Sequence, residues 1–591
     1  MTQESTSPKP DKTHNRRWQS DVIVDLIKHY EFPYITLNPG ASFRGLHDSL
    51  VNYGGNVPPM LLCPHEEIAV QMAHGYAKAT GRPMIAIVHD LVGMLHATMA
   101  VYYAYIDRAP IFIIGATGPM DEGKRRPNID WIHSAGTQGE AYRAFTKWDY
   151  QPTSIDGVPE AFLRAYSVMM TQPQGPIYMC YDAFMQELPL TAEVPLPPDD
   201  AVAAPSPIGP DPKALEAVAE RLLAAEAPLL MAEFVGRSAG GFENMVALAE
   251  AVRAPVWDIG SSLNFPGRHP LNLTLDTDVF ADRDVILNLD VRDWEKPIAS
   301  LDSTTRAVAY RVPESCEWME IGFAELGISK WSMDYRRTRS FTHRVLADPV
   351  VAIPALTDHC RARVAGDSAL ARRLDDRAAA IAERHRVLRN TWAEQAREDW
   401  DAVPMTPARL AAEIWDAIQG EDWVLSANTL RDWARKLWDF DKPYRHPGNS
   451  LGTATQIGIS LGVALANRGT GRLVVDINPD GDLMFDPGAL WVAAKYEIPL
   501  LIVMFNNRAY YNDWEHQLRM ARLRGTDEAK AHLGMDLFGP EPDFAGLARA
   551  MGCHGEGPIE RPQDVAPALR RAIAEVKRGR PALVDTITRH R

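Results

Sequence analysis

The chain has no excess of basic charge, no cysteine pair at motif spacing and no long apolar run, and each absence removes a class of function. Its 62 Lys and Arg stand against 77 Asp and Glu, a formal charge of −15 at pH 7. With no basic block, the chain is not built for nucleic acid or an anionic membrane surface. The five cysteines (Cys63, Cys180, Cys316, Cys360, Cys553) are scattered, with no CxxC. That argues against a structural zinc site or a disulfide framework, and for reduced thiols in a cytoplasm. No apolar stretch approaches the ~18 residues that span a bilayer. The polar start, Met1 to Arg17, lacks an apolar core and reads as a disordered leader, not a secretory signal. No short-period repeat is present. The remaining composition, 46% hydrophobic and 24% charged over 591 residues, is that of a soluble globular protein. Its length suggests about three or four domains.

Eight prolines fall between Pro189 and Pro212, a stretch that cannot hold a helix and reads as an extended linker. Further on, a charged helical segment around Ala369 to Trp400 leads to a fresh helix start at Thr406-Pro407. The resulting division is a leader (1–15), a first domain (16–190), the linker (191–211), a central domain (212–365), a helical connection (366–405) and a last domain (406–591). Apolar runs rich in β-branched residues, at 34–37, 84–88, 111–114, 473–478 and 499–505, predict buried strands. Between them, 66–80 carries Ile68, Ala69, Met72, Ala73, Tyr76 and Ala77 on one helical face. Strand–helix alternation with short connections predicts an α/β fold of three domains, each a mainly parallel sheet flanked by helices.

Two motifs carry chemistry. Asn478-Pro479-Asp480-Gly481-Asp482 ends one predicted strand and Asn506-Asn507 ends the next. Both therefore reach the carboxyl edge of a parallel sheet, where such sheets bind ligands. A carboxylate, an amide oxygen and a nearby backbone carbonyl form a hard-oxygen set suited to Mg²⁺ and phosphate. Asp-Gly and Asn-Asn are also ordinary turn residues, so the set alone leaves a plain pair of turns open. The second motif, Pro64-His65-Glu66-Glu67, opens the predicted helix. An acidic residue in a first turn suits the helix dipole without any further role. A zinc-protease HExxH reading fails because Ala69 stands where the second histidine belongs.

The spacing of Asp480-Gly481 and Asn506-Asn507, with 24 residues between, resembles the diphosphate–Mg²⁺ motif of thiamine-diphosphate (ThDP) enzymes. Pro64-His65-Glu66 followed by Gly75-Tyr76-Ala77 resembles the first domain of the same family, and the similarity runs from Trp18 to Thr586. It is closest to the acetolactate synthase-like branch, which includes 2-oxoacid decarboxylases and 2-hydroxyacyl-CoA lyases. The resemblance implies Asp480 and Asn507 as side-chain Mg²⁺ ligands and Ala509 as a backbone one. Gly481, Asp482 and Tyr510 fall with them on the cofactor. Glu66 takes the family role of the carboxylate that bonds the aminopyrimidine of ThDP and drives formation of the nucleophilic ylide. Asn38-Pro39-Gly40-Ala41-Ser42 is similar to the branch's first active-site turn, which places Gly40 and Ala41 at the cofactor. The support for the bent cofactor is placed within Leu451 to Ile457, with Leu451, Gly452 and Ile457 as contacts. The family shares each site between two subunits, which implies a homodimer at least and a homotetramer as its extension.

Several departures bear on the reaction. Pro479 stands where the family usually has Gly, which implies a local rearrangement of the loop. His89-Asp90-Leu91-Val92-Gly93 replaces a Ser-Gly-Pro-Gly-type turn, and Met94-Leu95-His96-Ala97 is similar to a segment of 2-hydroxyacyl-CoA lyases. Trp131-Ile132-His133-Ser134 replaces a substrate-facing Phe-Gln pair. His65, His89, His96, His133 and His516 thus map near the cofactor. His133 and His89 are the first candidates for proton transfer, against the plainer reading of satisfied helix-end histidines. The consecutive glycines of FAD-binding relatives are replaced by Ala232-Glu233-Phe234, so FAD is not expected. The short stub after the last predicted strand speaks against a CoA substrate. The expected activity is ThDP- and Mg²⁺-dependent cleavage or formation of a C–C bond beside a carbonyl, on a 2-oxo acid or 2-hydroxy ketone. A 2-hydroxyacyl-CoA lyase and a ThDP-binding scaffold without chemistry are the alternatives.

Overall fold

The computed structural model describes residues 15–198, 201, 204–302, 304–327, 337, 339–448, 452 and 454–590. The leader up to residue 14, four linker residues and Leu451 lie outside them. Its contacts divide the chain into two compact units, Met1–Ala77 with Arg82–Pro205, and Lys78–Gly81 with Ser206–Arg591.

Among its described residues the first unit holds six strands: β1 (Ile35–Leu37), β2 (Met60–Leu62), β3 (Ile85–Val88), β4 (Phe112–Thr117), β5 (Trp148–Tyr150) and β6 (Ile177–Asp182). They pair in the order β2-β1-β3-β4-β6-β5, all parallel. Residues of β3 and β4 are buried throughout, because helices cover both faces of the sheet. The helix Glu66–Thr80 packs its predicted face: Ile68, Ala69, Met72, Ala73, Tyr76 and Ala77 are all buried.

Among its described residues the second unit holds two parallel sheets and a small antiparallel ribbon. The first sheet comprises β7 (Pro228–Ala232), β8 (Val256–Asp258), β9 (Val285–Leu289), β12 (Glu317–Gly322) and β13 (His343–Leu346), in the order β13-β12-β9-β7-β8. The ribbon pairs β10 (Ala299–Leu301) with β11 (Val308–Tyr310). The last sheet comprises β14 (Trp423–Ala427), β15 (Leu473–Pro479), β16 (Leu501–Asn506), β17 (His554–Ile559) and β18 (Ala582–Ile587), in the order β14-β15-β16-β18-β17. The helix Ser368–Gln395 leads toward it. At the start of Pro407–Ile418, Thr406 Oγ1 accepts the Arg409 N–H at 3.0 Å and Pro407 fills the first turn. Among the described residues of 189–211 there is no helix or strand, as the prolines require.

After β3 the chain enters a helix at once, Asp90–His96, over the residues that replace the family's Ser-Gly-Pro-Gly-type turn. Asp90 takes the corner with φ 23° and donates its N–H to Ser42 Oγ at 3.3 Å. The cysteines are all buried and unpaired. Among the described residues no helix is long and apolar enough to cross a membrane.

Candidate active site

In the first unit the carboxyl ends of β1 and β3 present Asn38–Ser42 and His89. Gly40 lies so close to the His89 ring that a Cβ there would sit 2.3 Å from it, which is why no larger residue fits. Ala41 opens the short 3-10 turn that follows. Ser42 Oγ lies 2.8 Å from His89 Nδ1, while His89 Nε2 lies 3.2 Å from the Asp90 carboxylate. Both ring nitrogens of His89 are therefore engaged. Burial pushes the His89 imidazolium down and the Asp90 carboxyl up. The ring of His133 lies 5.8 Å from that of His89. His133 Nδ1 lies 3.1 Å from the Ile129 carbonyl, which can only accept, so Nδ1 carries a hydrogen and, in the neutral ring, Nε2 is the nitrogen with the lone pair.

Glu66 is buried at the start of its helix, 5% exposed. Its Oε2 lies 3.2 Å from His96 Nδ1, and the His96 ring stacks on His65 at 5.0 Å. Gly93 faces the same carboxylate; a Cβ there would lie 2.8 Å from Oε1. His65, His89, His96 and His133 thus gather around one sheet edge. His516 is exposed on the helix Tyr511–Arg524 of the other unit.

In the second unit Asp480 and Asn507 follow the adjacent strands β15 and β16. Asp480 Oδ1 accepts the Gly481 N–H at 2.8 Å. Asp480 Oδ2 and Asn507 Oδ1 both accept the Ala509 N–H, at 3.2 and 3.1 Å. One N–H thus holds two oxygens of the expected ligand set together. Tyr510 covers this loop: its hydroxyl donates to the Gly481 carbonyl at 3.3 Å, and a Cβ on Gly481 would lie 2.5 Å from its ring. Pro479 closes β15 with φ −74° and ψ 149°, values that proline adopts without strain.

Asp482 has a different geometry from its neighbour. Its carboxylate accepts the N–H groups of Ala454 and Gln456, so it ties the segment before the helix Gln456–Ala466 to the Asp480 loop. Ile457 is wholly buried on that helix, and the Gly452 carbonyl accepts the Thr455 hydroxyl at 2.6 Å. Behind them Gln456 and Asn478 both donate to the Asp476 carboxyl, and Asn506 donates to Asp585 at 2.9 Å. Burial pushes Asp480, Asp482 and Asp585 up to about 6 and Asp476 up to about 7. The Oδ1 of Asn478 is buried without a hydrogen-bond partner. Buried carboxyls crowded at one strand edge, with an orphaned amide oxygen among them, make a pocket of hard oxygens that favours a cation. The residues present therefore fit a divalent metal and the diphosphate it would carry.

The signals missed in the sequence were tertiary. Nothing in the spacing of Ser42, Asp90 and Gly93 marks them as the packing around His89 and Glu66. Asp585 and Gln456, which bracket the Asp480 loop, carry no local motif.

A parallel-sheet α/β protein with ligand loops at its strand ends is the class these features define. The particular family follows from comparison. Residues 17–139 match the family model "Thiamine pyrophosphate enzyme, N-terminal TPP binding domain" and residues 428–586 match its "C-terminal TPP binding domain". The chain belongs to the thiamine pyrophosphate enzyme family and is a ThDP-dependent enzyme. It is 24% identical to a "Probable acetolactate synthase large subunit" of Methanocaldococcus jannaschii, over 96% of this chain and 91% of that protein. It is also 24% identical to the benzoylformate decarboxylase of Pseudomonas aeruginosa, over 92% of this chain and 96% of that one. The crystal structure of benzoylformate decarboxylase from Polynucleobacter necessarius superposes with a TM-score of 0.73 at 19% identity, covering 97% of this chain and 99% of that one.

Proposed function

We propose that this enzyme uses ThDP, held through Mg²⁺, to break or form a C–C bond next to the carbonyl of a 2-oxo acid or 2-hydroxy ketone, by decarboxylation, carboligation or both. The observation that carries the reading is the convergence of Asp480 Oδ2 and Asn507 Oδ1 on the Ala509 N–H in a buried, acid-rich strand edge. Its likeness in sequence to an acetolactate synthase subunit and a benzoylformate decarboxylase supports the substrate class.

When bound, ThDP supplies a carbon nucleophile and an electron sink for the carbanion next to the former carbonyl. The chain's own residues bind, orient and move protons. Asp480, Asn507 and the Ala509 carbonyl would hold the metal, and the loop closed by Gly481 and Tyr510 would meet the diphosphate. Asp482 positions the residues from Gly452 to Ile457. Glu66 holds a proton at the cofactor's pyrimidine nitrogen. His133, through Nε2, the ring nitrogen not held by the Ile129 carbonyl, moves a proton at the substrate oxygen or the carbanion carbon. His89, locked by Ser42 and Asp90, orients that edge with Gly40 and Ala41 against it. The active unit is a homodimer or a dimer of dimers, with the Glu66 half of a site from one protomer and the Asp480 half from its partner.

The test is product analysis of protein loaded with ThDP and Mg²⁺, against a panel of 2-oxo acids, 2-hydroxy ketones and 2-hydroxyacyl-CoA thioesters. CO₂ release or a new hydroxyketone from the first two classes is expected. Turnover of the thioesters alone would overturn the substrate assignment. In parallel, Glu66→Gln is expected to bind ThDP yet lose exchange of the cofactor's C2 proton for deuterium; exchange at the unaltered rate would remove Glu66 from its role.

A further inference from the structure

The helix Asp90–His96 lies against Glu66 by two contacts that serve no purpose in building the sheet. Gly93 brings its backbone within van der Waals reach of Oε1 and Cγ, leaving no space for a side chain. Three residues on, one turn later along the same face, His96 reaches Oε2 at 3.2 Å. The helix is held in that place from behind, where the buried Tyr142 donates its hydroxyl to the Met94 carbonyl. The far side of the imidazole is fixed by His65, whose ring stacks on it at 5.0 Å and 19°. His65 is oriented in turn, because its Nδ1 accepts the Glu67 N–H at 3.2 Å. A carboxylate accepts and does not donate, so His96 Nδ1 carries the hydrogen between them.

We propose that His96 is the positioning residue of Glu66: its Nδ1–H fixes Oε2, so that Oε1 is the oxygen left to share a proton with the cofactor. This rests on the reading of Glu66 as the cofactor's carboxylate. The proton moves between Oε1 and the pyrimidine nitrogen, and His96 keeps its own throughout. A carboxylate on a flexible side chain samples several rotamers, and a donor on one oxygen selects one of them before the cofactor arrives. The stacked His65 serves the same end by restricting the His96 ring.

Two substitutions separate the hydrogen bond from the packing. His96→Phe keeps a ring to stack on His65 but has no N–H; His96→Asn keeps an N–H near the place of Nδ1 but loses the ring. Both are loaded with ThDP and Mg²⁺, and C2 deuterium exchange is read by NMR after acid quench, alongside ThDP affinity by fluorescence titration. The expected result is exchange slowed by at least about tenfold in His96→Phe and restored to within about threefold in His96→Asn, with ThDP affinity little changed in both. Exchange at the unaltered rate in His96→Phe overturns the proposal, as does equal slowing in both variants. If His96→Phe does not fold, His96→Leu replaces it with the same expectation. Glu66→Gln run beside them separates the two readings. Normal exchange there refutes the role of Glu66 itself, whereas lost exchange there with normal exchange in His96→Phe refutes only the role of His96. In cofactor-free protein, ¹⁵N spectra of labelled histidine should show His96 protonated at Nδ1, with that signal shifted by Glu66→Gln; an unshifted signal counts against the bond.

Discussion

Gly93→Ala isolates the orientation of Glu66 from its chemistry, since it adds one methyl group and removes no functional atom. The new Cβ would lie 2.8 Å from Oε1, 3.0 Å from Cγ and 3.2 Å from Cδ of Glu66. Comfortable contacts begin at about 3.5 Å, so something must yield by roughly half an ångström or more. The backbone of the Asp90–His96 helix is held through Met94 by Tyr142, whereas the carboxylate is the far end of a side chain. The carboxylate therefore moves. Overpacking costs about 1–3 kcal/mol, and the lower end applies when a side-chain end gives way. Alanine in a helix is favoured over glycine by ~0.8–1.0 kcal/mol, which offsets most of that strain. Gly93 has an ordinary helical backbone, so no conformational penalty is added. The melting temperature should hardly change, while a displacement approaching 1 Å at a proton-transfer group can cost about 10²-fold in rate. Deuterium exchange at C2 should fall ten- to a hundredfold, by the same principle, with Mg²⁺ and ThDP affinity retained through the Asp480 loop. Exchange within twofold of the unaltered protein, in a variant that melts normally, would show that Glu66 is not held as described.

Three more outcomes follow from the second unit and from assembly. Asp480→Ala should weaken ThDP binding sharply, with only partial rescue by excess Mg²⁺, and chelation with EDTA should release ThDP from the unaltered protein; calorimetry showing unchanged affinity in either case would refute the metal site. In metal-free protein, Asp476 holds its proton up to about pH 7 when folded but only to about 3.9 when unfolded, so stability is full below about pH 4 and falls as pH rises toward 7. The loss for this group is on the order of 4 kcal/mol at most, and Asp476→Asn should flatten it in chemical denaturation run at pH 5 and 7; a slope unchanged by the substitution would contradict the shift. Mixing Glu66→Gln with Asp480→Ala protein under exchange conditions should restore activity, because some interfaces then join two intact halves; proven mixed dimers without activity would mean that each chain builds its own site.

What was legible in the sequence was whatever local chemistry and periodicity determine. The helix Glu66–Thr80 has the bounds that its apolar face and acidic first turn imply, and Thr406 with Pro407 marks a helix start because both act on N–H groups next to them in the chain. Asp480 and Asn507 could be set side by side because neighbouring parallel strands carry their last residues to one edge, and β15 and β16 are such neighbours. The helix Asp90–His96 was not legible for the opposite reason. Whether the chain turns or coils after β3 depends on Ser42, which lies 48 residues from Asp90 and accepts its N–H, and on the space beside Glu66 that only a glycine leaves. The same holds for Asp482. By pattern it belongs with the metal loop, yet its carboxylate is spent on two N–H groups ahead of the Gln456–Ala466 helix. Each carboxylate's partner depends on which donors the sheet brings within 3 Å, and spacing along the chain does not encode that. Asp480, Asn507 and Glu66, the proposed ligand-binding residues, stand in motifs of the sequence. The contacts that His96, Gly93 and Asp482 make became visible only when the strands and helices were assembled.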